Sequence, residues 1–299
     1  MRAMILAAGF GTRLRPLTDK KPKALMPVAN KPLIAGVVAY LKSHGVNKII
    51  VNAHHHARQV VDYLNRGRPF GLHLEVRVEP EILGTGGGIK NTEDFWDDNA
   101  FVVINTDILT DINLAQAYQY HEKSGTRVTL VLHDCAPYNQ IQIDGRRHVV
   151  AIDSAPGPGR LAFTGIHILN RELLSYLPET GYSDIIDSYR KLIRSGEPIG
   201  AFLSKGHYWR DVGNLESYRD ANRERAENKI VLGTGCALDP SAKLLEWVVM
   251  GENCALEAGV EIKRSILWEN VVVKRNAKIT DSIVTSSTLV EKDLVRAVL

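Results

Sequence analysis

Hydrophobic positions in the first two thirds of the chain recur at two alternating periods. Met4-Ile5-Leu6-Ala7-Ala8 is a short unbroken apolar run that stops at a glycine, the pattern of a strand buried on both faces. Leu33, Val37 and Leu41 then recur at helical spacing, which predicts a helix over 32–44 with Gly45 at its C-terminal cap. Lys48 to Val51 reads as a β-branched strand, and Ala57 to Asn65 as a helix with Val60, Val61 and Leu64 on one side. Leu72, Leu74, Val76 and Val78 alternate, so that strand is half exposed. Phe101 to Ile104 and Arg127 to Leu132 read as further strands. The alternation predicts an α/β fold, a mostly parallel sheet flanked by helices, which binds ligands at the carboxyl ends of its strands.

Beyond residue 228 the helical period disappears. Cys254, Val260 and Ile266 are six apart, and after a one-residue slip so are Val271, Ala277, Ile283 and Leu289. Leu256, Ile262, Trp268, Val273 and Ile279 form a second apolar set. A six-residue period with small and polar residues between predicts a parallel β-helix. Two domains follow, 1–228 and 229–299, with the boundary near Asn228.

Composition narrows the function more than the fold. A net charge of +3 on 299 residues, with no basic run interleaved with aromatics, gives no sign of nucleic-acid binding. There is no apolar stretch long enough to span a bilayer. The start, MRAMILAAGFGTRL, lacks the long apolar region and cleavage site of a secretory signal, so a cytoplasmic protein beginning at Met1 is expected. Cys135, Cys236 and Cys254 are far apart and odd in number, which suits reduced thiols rather than a disulfide framework or a zinc site.

Candidate chemistry begins at the first strand's end. Gly9-Phe10-Gly11-Thr12-Arg13 puts glycines where backbone amides can approach an anion, and Arg13 adds a permanent, bidentate charge. Lys23, in Lys21-Pro22-Lys23, adds a point charge. A polyphosphate fits this loop; a tight turn into a helix fits the glycines alone. The dinucleotide fingerprint fails, because Leu14 stands at its third glycine, and a Walker lysine is absent. Asp107, after the apolar strand, and Asp211, in Trp209-Arg210-Asp211-Val212-Gly213, are carboxylates of the kind that hold Mg2+; each alone reads first as a turn residue or helix cap. Asp111 reads as a helix N-cap. His54-His55-His56 reads as polarity at a helix entry or site rim, since neighbours on an extended chain face opposite ways.

The longer strings are more specific. LAAGFGTRLRPLT at 6–18, KPKALMPVANKPLI at 21–34, GTGGG at 84–88, NTD at 105–107, FTGIHIL at 163–169 and WRDVG at 209–213 resemble the signature of the sugar-1-phosphate nucleotidyltransferases, also called NDP-sugar pyrophosphorylases. The tail resembles that of mannose-1-phosphate guanylyltransferase-like members. Thr-Gly-Gly-Gly and Phe163-Thr164-Gly165 resemble the N-acetylmuramate-1-phosphate uridylyltransferase branch instead.

The resemblance implies a Rossmann-like nucleotide-diphospho-sugar transferase fold followed by a short left-handed parallel β-helix. It implies transfer of a nucleotidyl group from an NTP, GTP or UTP favoured, to a sugar 1-phosphate, with Mg2+ held by Asp107 and Asp211. Arg13 would grip the departing pyrophosphate and Lys23 the phosphates at the reacting centre. Leu6, Ala8, Gly9, Gly11 and Thr12 would line the nucleotide, with Thr85, Gly86 and Gly87 against the base. Asn139, Thr164 and Gly165 would meet the sugar. The β-helix offers surfaces for a homo-oligomer. A regulatory or assembly protein on the same fold is the alternative; such a protein would be expected to lose Arg13, Lys23, Asp107 or Asp211, and all four are present.

Overall fold

A computed structural model describes residues 1–66, 70–227 and 229–299. The chain divides into two compact units, one of Met1–Phe10 with Ile34–Asp211, the other of Gly11–Leu33 with Val212–Leu299. The division does not run through the chain at one point, as the expected boundary did, and Asn228 itself lies outside the described residues. Among the described residues no helix is long and apolar enough to cross a membrane.

The first unit is built on a nine-stranded mixed sheet. Its parallel part contains β1 (Arg2–Leu6), β2 (Lys48–Ala53), β3 (His73–Val78) and β4 (Phe101–Asn105), in the order β4-β1-β2-β3. Helix α1 (Leu33–Ser43) leads to β2, and α2 (Ala57–Arg66) leads towards β3. As the apolar spacing predicts, Val37, Leu41, Val60 and Leu64 are buried. The α1 helix ends on Gly45, in the left-handed region at φ 82°.

Helix α3 (Gly84–Lys90) lies between β3 and β4; after β4 come β5 (Ile108–Thr110), α4 (Leu114–Ser124), β6 (Val128–His133), β7 (Asn139–Ile143), β8 (Val149–Ile152), β9 (Leu161–Leu169), α5 (Ile185–Arg194), β10 (Ile199–Ser204) and β11 (Trp209–Asp211). The long β9 runs antiparallel to β4 and to β6, and β10 is parallel to β6. The core draws Met4, Ile50, Val103, Leu130, Ala201 and Tyr189 together. Each large apolar side chain so buried contributes about 1.5–3 kcal/mol. His167 of β9 is 1% exposed and hydrogen-bonds the Tyr189 hydroxyl of α5; burial pushes its imidazole down to about 3.

One cap differs from expectation. Asn113, not Asp111, caps α4, its side chain accepting from the Gln116 amide at 3.0 Å. Asp111 instead accepts from the Tyr208 amide at 2.7 Å. Its side chain is used two residues too early to reach the first turn and serves the chain entering β11.

In the second unit α6 (Leu215–Arg225) packs with a series of short parallel strands. Ala255 pairs with Val272 and Val272 with Leu289, so the chain returns to itself every 17 residues. Asn253, Asn270 and Ser287 share that spacing and all have positive φ, marking one corner of successive coils. The return explains the one-residue slip in the sequence and corrects one position. The next interval is again five, so Thr288 follows Cys254 and Val271, Leu289 stands in register with Val272 and is 52% exposed, and buried Val290 continues the second set after Leu256 and Val273. Cys254, Leu256, Val260, Ile262, Val273 and Ile279 fill the coil interior. Burial pushes the Cys254 thiol up to about 11.

Candidate active site

The candidate residues fall in both units, and each unit holds its own set. In the first, β1 ends between two polar strand ends, Leu6 standing in register with Asn52 and Asn105. The Leu6 carbonyl accepts from the Thr106 amide at 3.1 Å, and the Ala7 amide donates to Asn52 Oδ1 at 2.8 Å. Asn52 in turn donates to Glu79 Oε1 at 2.7 Å, and both are 2% exposed. Sequence reading missed this buried pair. Its signal was an Asn closing an otherwise apolar strand, where a polar group needs a partner.

The chain then opens out. Ala8 is buried, Gly9 is exposed, and nothing lies within 4 Å of the place a Gly9 Cβ would occupy. Phe10, 40% exposed, meets His54 and His55 edge-on at 5.5 and 5.6 Å. His54 Nδ1 is 2.9 Å from the Glu79 carbonyl. The histidine run therefore frames the opening of this loop.

Asp107 follows β4 at its carboxyl end. β5 and β11 form a two-stranded antiparallel ribbon in which Asp211 stands opposite Ile108, the residue after Asp107. The register brings two carboxylates more than a hundred residues apart to the same end of one ribbon. Carboxylate oxygens are hard donors, and two of them suit a Mg2+ ion that completes its shell with phosphate and water.

GTGGG, the string expected against the base, is a short helix. It forms α3, with Gly86, Gly87 and Gly88 buried. The amides of Gly86 and Gly87 both donate to the Ser183 carbonyl, at 2.8 and 3.3 Å. Thr85 Oγ1 donates to Asp184 Oδ1 and accepts from the Ile185 amide. A Cβ at Gly87 would lie 2.6 Å from the Gly181 carbonyl, and one at Gly88 2.7 Å from Asn52 Nδ2. The small residues here let the helix press against residues 181–185. That packing gives the glycines a structural reason to be small, beside the base contact expected of Thr85, Gly86 and Gly87.

The sugar-side positions also make contacts within the chain. Asn139 Oδ1 accepts from the Cys135 amide and its Nδ2 donates to Asp134, which fixes the turn before β7. Thr164 is fully buried and donates to the Val131 carbonyl at 2.8 Å. Gly165 sits in a bulge of β9, where a Cβ would be 2.8 Å from Asn105 Nδ2. Nearby, the Trp209 indole donates to the Thr164 carbonyl at 2.9 Å and meets Tyr138 edge-on at 5.5 Å. Sequence reading took Trp209 only as part of a string around Asp211.

In the second unit, Gly11 adopts φ 64° and opens a loop of short helical turns. Thr18 Oγ1 donates to the Gly11 carbonyl at 3.0 Å. A Gly11 Cβ would lie 2.9 Å from Thr18 Cγ2 and 3.3 Å from Lys23 Cβ, so Lys23 runs directly beside the Gly11 backbone. Leu14, Leu17 and Met26 are buried, while Thr12 and Arg13 are exposed. The Ala29 amide donates to Asn222 Oδ1 of α6 at 3.0 Å, and Asn30 Nδ2 to the Met250 carbonyl at 2.7 Å. The loop carries an arginine, a lysine and open amides on a fixed frame, the means of binding phosphates.

A family model described as nucleotidyl transferase matches residues 2–228. The chain is similar to the UTP–glucose-1-phosphate uridylyltransferase of Synechocystis sp., 26% identical over 98% of this chain and 89% of that one. It is similar to the mannose-1-phosphate guanyltransferase of Aspergillus fumigatus, 30% identical over 98% and 88%, and to the probable mannose-1-phosphate guanylyltransferase 3 of Oryza sativa subsp. japonica, 27% identical over 95% and 86%. Of solved structures, a putative glucose-1-phosphate thymidylyltransferase of Bacillus anthracis in complex with sucrose superposes with a TM-score of 0.67, 26% identical, covering 75% of this chain and 94% of that one. HddC of Yersinia pseudotuberculosis complexed with GMP-PN gives 0.65 at 26% identity, covering 75% and 99%. The chain therefore belongs to the nucleotidyl transferase family, among its sugar-1-phosphate nucleotidyltransferases.

Proposed function

We propose that the chain transfers a nucleotidyl group from GTP or UTP to a sugar 1-phosphate, releasing pyrophosphate, in a Mg2+-dependent reaction. The observation that carries this reading is the β5–β11 register, which puts Asp211 opposite Ile108, the residue after Asp107. Among the described residues no group of three or more His, Cys, Asp and Glu converges on a metal position. A two-carboxylate site leaves coordination positions for substrate oxygens. When bound there, the ion would neutralise charge on the α-phosphate and the leaving group.

The nucleophile is a phosphate oxygen that is already anionic at neutral pH, so the reaction needs no general base. The work of the protein is to hold repelling anions in line and neutralise their charge. Arg13 would grip the pyrophosphate that leaves and Lys23 the phosphates at the reacting centre. The amides of Gly9, Gly11 and Thr12 would line the phosphates, with Leu6 and Ala8 fixing where the loop starts. GTP and UTP are put first because the relatives matched over 95–98% of this chain are named guanylyl- and uridylyltransferases, whereas the putative thymidylyltransferase matches over 75% of it. The coiled tail is taken as a left-handed hexapeptide β-helix and a face for self-association, supported by its 17-residue return.

The test is pyrophosphate release with Mg2+ across four NTPs and the 1-phosphates of mannose, glucose, N-acetylglucosamine and N-acetylmuramate. One productive pair, with GTP or UTP, is expected. Folded protein that binds NTP yet releases no pyrophosphate with any of them would favour the regulatory alternative.

A further inference from the structure

We propose that Glu269 and Trp268, on the C-terminal coils, are positioning residues for the phosphate-binding loop, acting through Lys21 and Tyr218. The proposal rests on the reading of Arg13 and Lys23 as phosphate grips. Residues 11–33 share a compact unit with the coils. Within that unit Lys21 Nζ lies 2.7 Å from Glu269 Oε1 and 4.8 Å from the centre of the Trp268 ring. Trp268 is 2% exposed, and its indole donates to the Tyr218 hydroxyl at 2.9 Å. That hydroxyl donates onward to the Pro27 carbonyl at 2.6 Å.

The two arms grip the loop on either side of Lys23, at Lys21 and at Pro27. Between Gly11 and Met26 its own backbone hydrogen bonds are short-range turns, such as Leu14 to Gly11 and Met26 to Lys23. These turns set its shape, and the Asn222 and Met250 bonds hold Ala29 and Asn30, which leaves the stretch around Lys23 to be held by contacts of its own. A buried indole-to-phenol-to-carbonyl chain, with every polar atom partnered, fixes one end, and a cation held by a carboxylate over an aromatic face fixes the other. The coil behind them is anchored in turn, since the Ser287 amide donates to the Glu269 carbonyl at 3.0 Å. Catalysis by positioning is sensitive to small displacements. The coiled tail thus sets the geometry of the phosphate grips without touching substrate.

The test uses full-length Glu269→Gln, Lys21→Met, their double variant and Trp268→Phe. Each single change is expected to raise KM for the NTP about threefold to tenfold and leave KM for the sugar phosphate within about twofold. The double variant should be no worse than the poorer single, because both remove one contact. Hydrogen exchange of the amides of 11–30 should quicken, while exchange in β4 stays unchanged. An unchanged KM for NTP beside altered exchange would overturn positioning, leaving a merely structural contact. Unchanged exchange would overturn the brace itself. Because exchange needs no turnover, a wild type inactive on every substrate pair would count against the proposed reaction and leave the brace to be judged by exchange and by NTP affinity.

Discussion

Two glycine-rich stretches, Gly9-Phe10-Gly11 and Gly84-Thr85-Gly86-Gly87-Gly88, look alike in the sequence and part company at Gly9, the one glycine of the two stretches with open space beside it. The space beside Gly9 is empty to 4 Å, and the residues that follow present exposed Thr12 and Arg13. The space beside Gly84, Gly86 and Gly87 is filled by residues 181–183 at 2.5–2.6 Å, and the α3 amides of Gly86 and Gly87 are spent on the Ser183 carbonyl. Glycine permits close approach, and whether a ligand or the protein makes that approach depends on what the fold brings there. The lesson carries to Thr164 and Gly165, which also pack against their own chain.

If the opening stretch serves phosphates, the largest effects should fall on turnover and spare the fold. Asp107→Asn or Asp211→Asn is expected to lower pyrophosphate release by about 100-fold or more, with the urea midpoint almost unmoved. Normal activity with the Mg2+ requirement intact would remove that residue from the metal site.

The packing stretch should show the reverse. Gly84 has φ 72°, and a Cβ there would lie 2.5 Å from the Ser183 carbonyl. Gly84→Ala should cost about 2–4 kcal/mol of stability, from left-handed strain and from overpacking against backbone. A variant as stable as wild type in urea would erase the contrast drawn above.

Arg13→Ala comes next, with an expected loss of about tenfold to 100-fold in kcat/KM for the NTP and no change in melting temperature. An unchanged kcat/KM would take Arg13 out of the site and make the opening glycines a turn.

The smallest effect concerns the packed core alone. His167 is buried, and its folded-state pKa is about 3 against an ordinary 6.5. The unfolded chain therefore binds the proton more readily between those values. Stability from keeping His167 neutral is complete above about pH 6.5 and falls by about 1.4 kcal/mol per pH unit on acidification towards 3. His167→Gln should flatten the urea-midpoint profile between pH 6.5 and 5. A profile of unchanged slope would assign the acid sensitivity to other groups.

Much of the fold was legible because local period reports burial. The α1, α2 and β4 segments bury the residues their spacing selects, and Asp107 follows an apolar strand as expected. The short parallel strands of the tail return every 17 residues, which accounts for the slip in the six-residue count. Leu289 was misplaced because a 17-residue coil resets the count at each turn, and one sequence interval does not show that reset. The Asn52–Glu79 pair and the Trp268–Tyr218–Pro27 chain were missed because their members are 27 to 191 residues apart between neighbours in contact.

The sequence by itself determined the chemistry on offer: an opening loop with Arg13 and Lys23, two aspartates in specific strings, a sheet-forming chain and a coiled tail. Those are properties of residue type and short spacing, which exist before the chain folds. Tertiary structure alone decided which glycines face open space, that Asp211 stands opposite Ile108, and that residues 11–33 share a compact unit with the C-terminal coils. Register and packing join distant segments, and no local pattern encodes which segments will meet.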